Sequence, residues 1–423
     1  MKNNLKILGF DSWTGGVQHF ARLLPALEAK SMQLTLVHIS SWGNDPNCLP
    51  ESKINNLLVR DISYYGSDSF ENVLDVEKPD AVILTSTDTF AHRAFIRYCE
   101  KRSIPTLNLF HGLAAATVSE TTTYTTSRPA YLRFVLSKIG KLLRHTFPCY
   151  INALLKTDAS PKDWYRFMSD IFHLANGSNY FIHGAVDAKT TKCAVYVQAD
   201  VEYAMRFYGF RREDVHVVGN PDLINFAFEE SMMAIWSHHY IRDLSVLYIE
   251  TGFSSVGLFF SSEEDFANHL LTTSRKLAIQ GIKMCLKLKP NESNVSIIKR
   301  YLEGSGIEIV SNENFLTKLL SCSACITETT SLAIVPALMG MPLLMTKYGK
   351  LKTLDFGEML SSYPRGYQLN DVSDVSNILI KDAQMVDIEN IHAWIGLNIG
   401  PLPVKKMPER VVTIIAEMIA KAR

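Results

Sequence analysis

Short runs of apolar residues recur along the chain, and each one is followed by a polar or glycine-containing turn and then by a helix-forming segment. In the first half, this pattern predicts strands at Leu5–Phe10, Leu34–Ile39, Ala81–Thr85 and Thr106–Phe110. These strands are apolar almost throughout, which is typical of parallel strands covered by helices on both faces. The sequence therefore predicts an α/β fold.

The pattern restarts in the second half, which indicates a second domain of the same architecture. Strands are predicted at Ser245–Ile249, Lys283–Leu288 and Ala324–Thr327, and a long helix at Glu263–Gln280. Because 423 residues are many for one hydrophobic core, we expect two Rossmann-like domains. The predicted parts are an N-terminal domain of residues 1–241, a C-terminal domain of residues 242–400, and a segment of residues 401–423 whose helix packs back across the domains.

Charge and cysteine content exclude several classes of protein. Lys plus Arg and Asp plus Glu both number 43, so no overall field gathers nucleic acid. The seven cysteines are scattered, unlike a disulfide framework, and the N-terminus lacks the apolar core of a signal peptide. No apolar run reaches the ~18 residues of a membrane-spanning helix. We expect a cytoplasmic protein.

The stretch from Asp214 to Asp222 combines a short strand, a forced turn at Gly219–Pro221 and the start of a helix. Asp222 is predicted to N-cap this helix, which places a carboxylate at the carboxyl end of a strand, where open α/β sheets bind ligands. The residue therefore either takes part in catalysis or only caps the helix. A further helix is predicted at Phe226–Tyr240.

A second polar rim is predicted at the ends of the first-half strands. Gly15 and Gly16 form a turn that lets the backbone approach a ligand, and a helix is predicted from Val17 to Lys30. His111 follows a predicted strand directly, where it could bind an anionic group, move a proton, or serve as a hydrogen-bonded structural residue. The polar residues from Thr85 onward end the preceding strand in the same way, so these groups could converge.

In the second half, the strand before Glu328 runs into hydroxyl residues that open a helix. Hydroxyls and free backbone N–H groups at the start of a helix can form a phosphate-binding site, here called the phosphate seat, although helix capping alone also explains these residues. Lys289 adds a positive point charge, and Glu328 could accept a hydrogen bond from a ribose hydroxyl. No Asp-x-Asp pair or metal-ligand spacing occurs, so no metal is expected. The predicted nucleotide-binding residues are Gly252, Lys289, Pro290, Glu328, Thr329, Thr330 and Ser331.

Residues 128–156 contain no acidic residue, and basic side chains alternate there with large apolar ones. Leu132, Leu136, Ile139 and Leu143 fall on one face of a helix whose other side is basic. Such a helix lies on an anionic membrane or flanks an anionic acceptor; alternatively, it packs on its own domain with a solvated basic face.

These motifs together resemble those of a known family. The resemblance is carried by Gly15-Gly16, His111-Gly112, the segment Gly209–Asp222, Lys289-Pro290 and the Glu-Thr-Thr-Ser-Leu-Ala segment from Glu328. They resemble GT-B glycosyltransferases, and within these the bacterial enzymes that move Kdo or sialic acid from a CMP donor. The resemblance implies a GT-B fold, with two Rossmann-like domains facing a central cleft.

The chain is most similar to retaining β-Kdo transferases of O-antigen assembly. That similarity implies double displacement, with Asp222 as nucleophile, CMP-Kdo as donor, no cofactor, and a glycan acceptor that could be lipid-linked at the inner membrane. His111 or a local arginine would bind the Kdo carboxylate. A second acid is needed at the acceptor, and Asp158, Asp163 and Glu120 are loop candidates for it.

Other functions share these features. The Val-x-Val-x-Gly-Asn-Pro segment also resembles UDP-sugar 2-epimerases, and the layout also resembles CDP-glycerol-type phosphotransferases. A sialyltransferase or another nucleotide-sugar transferase would use the same fold. A non-catalytic module of a polysaccharide assembly would bind glycan or partner through residues 128–156.

Overall fold

The structure is a computed structural model. It describes residues 4–13, 16–43, 45, 48–66, 68–114, 136, 139–176, 189–238, 244–252, 259–289 and 292–423. The chain forms two compact units. The first contains residues 1–112, 132–219 and 401–423, and the second contains residues 113–131 and 220–400.

Within the described residues, the first unit contains an eight-stranded sheet in the order β3-β4-β2-β1-β5-β6-β7-β8. All neighbouring strands are parallel except the β3–β4 pair. The strands are β1 Leu5–Asp11, β2 Met32–His38, β3 Glu51–Ile54, β4 Leu57–Asp61, β5 Ala81–Leu84, β6 Thr106–Leu109, β7 Lys192–Val195 and β8 Val215–Val217.

Helices cover both faces of this sheet, as its apolar strands require. Its α-helices are α1 Val17–Ala21, α2 Leu24–Glu28, α3 Phe70–Glu77, α4 Phe90–Lys101, α5 Phe147–Lys156, α6 Pro161–Asn176, α7 Ala199–Tyr208 and α16 Met407–Ala422. An aromatic cluster anchors α3 and α4, because the ring of Phe10 lies 5.2 Å from that of Phe70 and 4.9 Å from that of Phe95. From α16, Arg410 donates a hydrogen bond to the carbonyl of Val218 at 2.9 Å.

The second unit has a parallel sheet in the order β11-β10-β9-β12-β13-β14, again within the described residues. The strands are β9 Ser245–Ile249, β10 Lys283–Lys287, β11 Glu308–Ile309, β12 Ala324–Thr327, β13 Leu343–Thr346 and β14 Gly366–Leu369. The α-helices are α8 Pro221–Asn225, α9 Glu263–Ile279, α10 Glu292–Tyr301, α11 Phe315–Ser321, α12 Ile334–Leu338, α13 Glu358–Ser361, α14 Val375–Met385 and α15 Ile388–Asn398.

Two predicted helices differ from the observed ones. The helix expected over Val17–Lys30 is two short helices, because Pro25 cannot donate a backbone hydrogen bond to the preceding turn and instead lies in the first turn of α2. The helix expected over Phe226–Tyr240 is wrong for its described part, which forms 3₁₀ turns. The backbone N–H groups of Ala234 and Trp236 bond to the carbonyls of Leu338 and Met339 at the end of α12 instead of continuing a helix.

The division of the chain lies after Gly219, whereas the sequence places it after residue 241. The difference arises because the segment that leaves β8 packs on the second unit. Phe226 stacks near Phe315 of α11, with 4.7 Å between ring centroids, and the backbone of Ala234 bonds to that of Leu338.

Candidate active site

Each sheet has a switch point, which is the place where the chain stops adding strands on one side of the sheet and starts adding them on the other side. In the first unit, the chain runs from β1 to β4 on one side and from β5 to β8 on the other. In the second unit, it runs from β9 to β11 on one side and from β12 to β14 on the other. Open α/β sheets bind ligands beyond the carboxyl ends of the strands at such switch points. The loops after β1 and β5, and after β9 and β12, are therefore the candidate sites.

Glu328, at the switch point of the second unit, is fully buried. Its carboxylate accepts hydrogen bonds from the Tyr248 hydroxyl at 2.8 Å, the Thr251 backbone N–H at 2.9 Å and the Thr251 hydroxyl at 2.6 Å. Burial, and then the neighbouring Glu250 carboxylate, raise the pKa of Glu328 to about 7. These bonds fix the loop after β9, and the predicted contact of Glu328 with a ribose stays a prediction.

Glu250, on the same loop, is a polar site residue that the sequence did not single out. The side chain is 5% exposed, and its Oε2 atom accepts a hydrogen bond from the Lys289 backbone N–H at 2.9 Å. Its Oε1 atom is buried and has no hydrogen-bond partner among the residues that the structure describes. Burial raises the pKa of Glu250. Such an oxygen needs a donor, so it marks a place where a ligand hydroxyl or amino group would bind.

The hydroxyl residues after β12 divide into two roles. Thr330 is the N-cap of the 3₁₀ turn Ser331–Ala333, because its side chain accepts a hydrogen bond from Leu332 N–H at 3.3 Å. The Thr329 hydroxyl is buried and makes no hydrogen bond within the described part of the chain. Capping therefore accounts for Thr330, whereas Thr329 retains an unused hydroxyl at the switch point.

The remaining predicted nucleotide-binding residues lie in the loops beside this point. Lys289 is exposed after β10, and its backbone is held by Glu250. Gly252 is buried and has a φ of +92°, a conformation that favours glycine. Pro290 lies outside the described residues.

The prediction that Asp222 caps its helix is wrong. Asn220 is the N-cap of α8, because its side chain accepts a hydrogen bond from the Asp222 backbone N–H at 2.9 Å, and Pro221 occupies the first helical position. Asn220 is fully buried, while Asp222 is half-buried in the first turn. The carboxylate of Asp222 is therefore not needed to start the helix.

Polar groups do converge at the switch point of the first unit, as the sequence predicted. The exposed His111, just after β6, uses Nδ1 to bond the backbone carbonyl of Thr85 at 2.8 Å. The carboxylate of Asp11, at the end of β1, is 5% exposed and accepts a hydrogen bond from the Ser12 backbone N–H at 2.6 Å. Burial raises the pKa of Asp11. Asp11 was not singled out from the sequence, although an acidic residue between a strand and a glycine turn was a visible signal. Gly15 of that turn lies outside the described residues.

The outer faces of α5, α6 and the residues before them are apolar. Phe90 of α4 packs on the inner faces of the two helices, with its ring centroid 5.1 Å from that of Tyr150 and 5.3 Å from that of Phe167. This leaves a row of exposed large apolar side chains that face outward, which we call the outer apolar face. Its members are Leu136, Ile139, Leu143, Ile151, Leu155, Tyr165, Met168 and Phe172.

Basic residues accompany this face. Arg144, Lys156 and Lys162 are exposed beside it. Leu136, Ile139 and Leu143 are among the exposed side chains, and the choice between a membrane-facing helix and one packed on its own domain stays open. Leu132 lies outside the described residues.

Two further observations concern metals and membranes. The described residues include no group of three or more His, Cys, Asp or Glu side chains placed to hold a metal ion. They also include no helix long and apolar enough to span a bilayer.

Two solved structures of the wall teichoic acid polymerase TagF resemble this chain. A variant with one histidine replaced by alanine has a TM-score of 0.52 at 11% identity, and one with a histidine replaced by asparagine has a TM-score of 0.51 at 12% identity. Each comparison covers 100% of this chain and 90% of that chain. The complex of S. aureus MnaA with UDP has a TM-score of 0.49 at 13% identity and covers 98% of this chain and 97% of that one.

No protein-family model matches the chain, and no curated protein sequence matches it. The likeness to TagF shows the fold, which is the α/β GT-B fold of two Rossmann-like units. The fold class predicted from the sequence is therefore confirmed.

Proposed function

We propose that this chain is a retaining glycosyltransferase that moves Kdo from CMP-Kdo to a glycan acceptor of O-antigen, lipopolysaccharide or capsule assembly. The observation that carries the proposal is the switch point of the second unit. There, the buried Oε1 of Glu250 and the hydroxyl of Thr329 have no partner among the described residues, and Lys289 lies on the adjoining loop. Unused buried donors and acceptors beside a cation suit a nucleotide with its phosphate.

In this proposal, the phosphate of the donor binds Lys289, Thr330 and Ser331. Thr329 and the free oxygen of Glu250 bind ribose or base, and Gly252 holds the backbone of the adjoining loop in its positive-φ conformation. Lys289 and the hydroxyl donors neutralise the CMP leaving group, so the reaction uses no metal and no cofactor.

The proposed chemistry is a double displacement. The Asp222 carboxylate attacks the anomeric carbon, and the bond to the phosphate oxygen breaks with its electron pair moving to CMP. An acceptor hydroxyl then attacks the same carbon, and the bond to Asp222 breaks with its electron pair returning to the carboxylate. Two inversions give net retention. The acceptor proton must pass to a base in the second step.

Lys289→Ala is expected to raise the KM for CMP-Kdo about tenfold with little change in kcat, because a phosphate contact made equally in ground and transition states affects binding alone. The measurement is initial-rate kinetics of transfer to a glycan acceptor, with the product identified by mass spectrometry. Lys283→Ala is the matched control, since Lys283 is exposed at the opposite end of β10. A KM that is unchanged by Lys289→Ala would reject the phosphate seat.

We also propose that the outer apolar face and its basic neighbours dock on an anionic membrane, where a lipid-linked acceptor would be found. Large exposed apolar side chains on adjoining helices are uncommon on a free surface and suit the acyl boundary of a bilayer. The exposed basic residues Arg144 and Lys162 complement acidic headgroups. The protein would then act at the cytoplasmic face of the inner membrane.

Replacing Leu143, Leu155 and Met168 together by Gln is expected to reduce flotation with vesicles that contain anionic phospholipid by about tenfold, because the apolar anchor is lost. The control replaces Ile279 and Met385 by Gln, which are exposed apolar residues of the second unit. Equal flotation of the two variants would contradict the docking surface. Flotation of the wild type with vesicles made only of neutral lipid would contradict the proposed attraction between the basic residues and acidic headgroups.

A further inference from the structure

A cavity of about 520 Å³ lies at the amino ends of β6 and β7, entirely within the first unit. Thr106 is the first residue of β6, Lys192 is the first residue of β7, and both line this cavity. We call it the amino-end cavity. Pockets that bind small molecules commonly have volumes of about 300–1,000 Å³. The amino-end cavity is therefore large enough to hold a small molecule.

The amino-end cavity is separate from the switch point of the same sheet. His111 follows the carboxyl end of β6, whereas Thr106 lies at its amino end. Because a strand rises about 3.3 Å per residue, β6 alone separates the two places by roughly 10 Å. A ligand in the amino-end cavity thus lies away from the loops that form the candidate active site of this unit.

Two lysines are held in place at one wall of the cavity. The Nζ atom of Lys189 donates a hydrogen bond to the Gly209 carbonyl at 2.7 Å. The Nζ atom of Lys192 donates to the Glu213 carbonyl at 3.1 Å and to the Asp214 carboxylate at 2.8 Å. An ammonium group has three N–H donors, so these bonds still leave a donor on each lysine for a ligand.

His216, on β8, contributes a buried nitrogen to the lining. Its Nε2 atom has no hydrogen-bond partner among the residues that the structure describes. Burial, and then the charge of Lys192, lower the pKa of His216, so the ring is neutral at neutral pH. In a neutral ring, Nε2 is a donor in one tautomer and an acceptor in the other, and a ligand hydroxyl satisfies it in both cases.

The charges around the cavity balance. The lining includes three lysines and three glutamates, which are Lys189, Lys192, Lys421, Glu100, Glu213 and Glu417. An anion such as phosphate would meet the carboxylates as well as the ammonium groups, so the lining favours a neutral ligand. A carboxylate only accepts hydrogen bonds and an ammonium group only donates them, whereas a hydroxyl does both. Closely spaced hydroxyls therefore suit this alternation of charges.

An apolar strip completes the lining. Ile414 and Met418 lie one turn apart on α16, so their side chains share a face of that helix, and both are buried. Ile104, at the end of the turn after α4, also lines the cavity. A molecule that carries C–H groups on one side and hydroxyls at its edges matches this combination of surfaces.

We propose that the amino-end cavity binds a neutral saccharide. The hydroxyls of the sugar bond the lysines, the glutamates and Nε2 of His216, and its C–H groups pack on Ile414 and Met418. This inference goes beyond the proposed transferase function, because the sugar in this cavity takes no part in the reaction. The site binds it whether or not CMP-Kdo is the donor.

Titrations of the intact, histidine-labelled protein test the site directly. The probes are the neutral disaccharides maltose, lactose and mannobiose, which differ in the orientation of their hydroxyls, and inorganic phosphate as the anion. Long-range ¹H–¹⁵N spectra report on the His216 ring, whose signals are identified by their loss in His216→Phe. At least one disaccharide should shift these signals saturably, with a dissociation constant of about 1 mM or lower. No saturable shift with any disaccharide, or tighter binding of phosphate, would overturn the proposal.

Variants of α16 provide matched controls for this titration. Ala422→Trp places a large ring in the cavity and should abolish binding, whereas Ala420→Trp alters an exposed residue of the same helix that does not line the cavity. Glu417→Gln should weaken binding about threefold to tenfold, because a charge-assisted hydrogen bond is lost. Glu409→Gln, at an exposed position outside the lining, is its control. Equal affinities within either pair would overturn the assignment of the cavity.

The same preparations separate saccharide binding from sugar transfer. His216→Phe should leave the rate of transfer from CMP-Kdo within about twofold of wild type, because distant sites act independently. A larger fall, in a variant that keeps the wild-type unfolding midpoint, would contradict the separation of the two sites. A protein that binds a disaccharide in the cavity but transfers no sugar would contradict the proposed function and would support the saccharide site.

Discussion

Asp222→Asn is expected to lower the rate of Kdo transfer by at least about 10³-fold while the protein stays folded. The side-chain amide has nearly the same shape, but it cannot act as a carboxylate nucleophile. Because Asn220 caps α8, loss of the Asp222 charge should leave the start of the helix in place. The measurement is a single-turnover transfer assay, paired with the thermal unfolding midpoint of the same preparation.

Asn220→Ala is the matched control for this experiment. It removes the cap of α8 and should destabilise the protein by about 1–2 kcal/mol, while retaining the Asp222 carboxylate. The two variants should therefore show opposite profiles, one defective in turnover and the other in stability. Turnover near the wild-type rate in Asp222→Asn would exclude Asp222 as the nucleophile.

The stability of the second unit is expected to fall as the pH rises, and Glu328 is expected to account for much of the fall. Burial and Glu250 raise the pKa of Glu328 from 4.5 to about 7 in the folded protein. The folded state therefore binds this proton more tightly than the unfolded state does. The resulting stability is fully present below pH 4.5 and is lost as the pH rises through about 7. At roughly 1.4 kcal/mol per pH unit, the loss is about 3 kcal/mol.

Glu328→Gln should reduce this pH dependence, because an amide does not titrate in the range, while Glu250, whose pKa burial also raises, still contributes. The substitution leaves the Thr251 N–H facing an amide group, so a constant loss of stability at all pH values accompanies the change. The measurement is the free energy of unfolding of both proteins by urea at about pH 5 and about pH 8. The exposed residue Glu303 provides the control, Glu303→Gln, which should retain the wild-type difference. An equal pH dependence in wild type and Glu328→Gln would contradict the account.

Most strands could be predicted from the sequence because each is an apolar run between polar turns. Strand β1 extends one residue beyond the predicted run Leu5–Phe10, to Asp11. Strand β10 ends one residue before the end of the predicted run Lys283–Leu288. The long helix from Glu263 is confirmed, since Ser262 caps it and three acidic residues follow in its first turn. Local sequence determines such elements strongly.

Elements that depend on tertiary contacts were not predictable in this way. The antiparallel pair β3 and β4 has few apolar residues on its edge strand and was missed. The segment after Asn225 has apolar residues suited to a helix, but its backbone bonds to the second unit instead. Local capping preference also favoured Asp222 over Asn220, although both are good caps, and Pro221 at the first helical position settles the choice.

The site could be predicted in outline only. The sequence identified the loops after β1, β5, β6, β8, β9, β10 and β12 because polar or glycine residues follow apolar strands there. It missed Glu250 and Asp11, since each is one acidic residue among many. Their importance follows from strand order, which brings β9 beside β12 and β1 beside β5. Strand order depends on long-range packing that no local pattern records.

Isothermal titration calorimetry of the intact chain with CMP, UDP and CDP tests the central claim most directly. The second unit is proposed to bind the nucleotide of a CMP-sugar, so CMP should bind with a dissociation constant at least about tenfold lower than that of UDP or CDP. CMP-Kdo should compete for the same site. Tighter binding of UDP would indicate an epimerase or a UDP-sugar transferase, tighter binding of CDP would indicate a CDP-glycerol-type phosphotransferase, and binding of no nucleotide would contradict the account entirely.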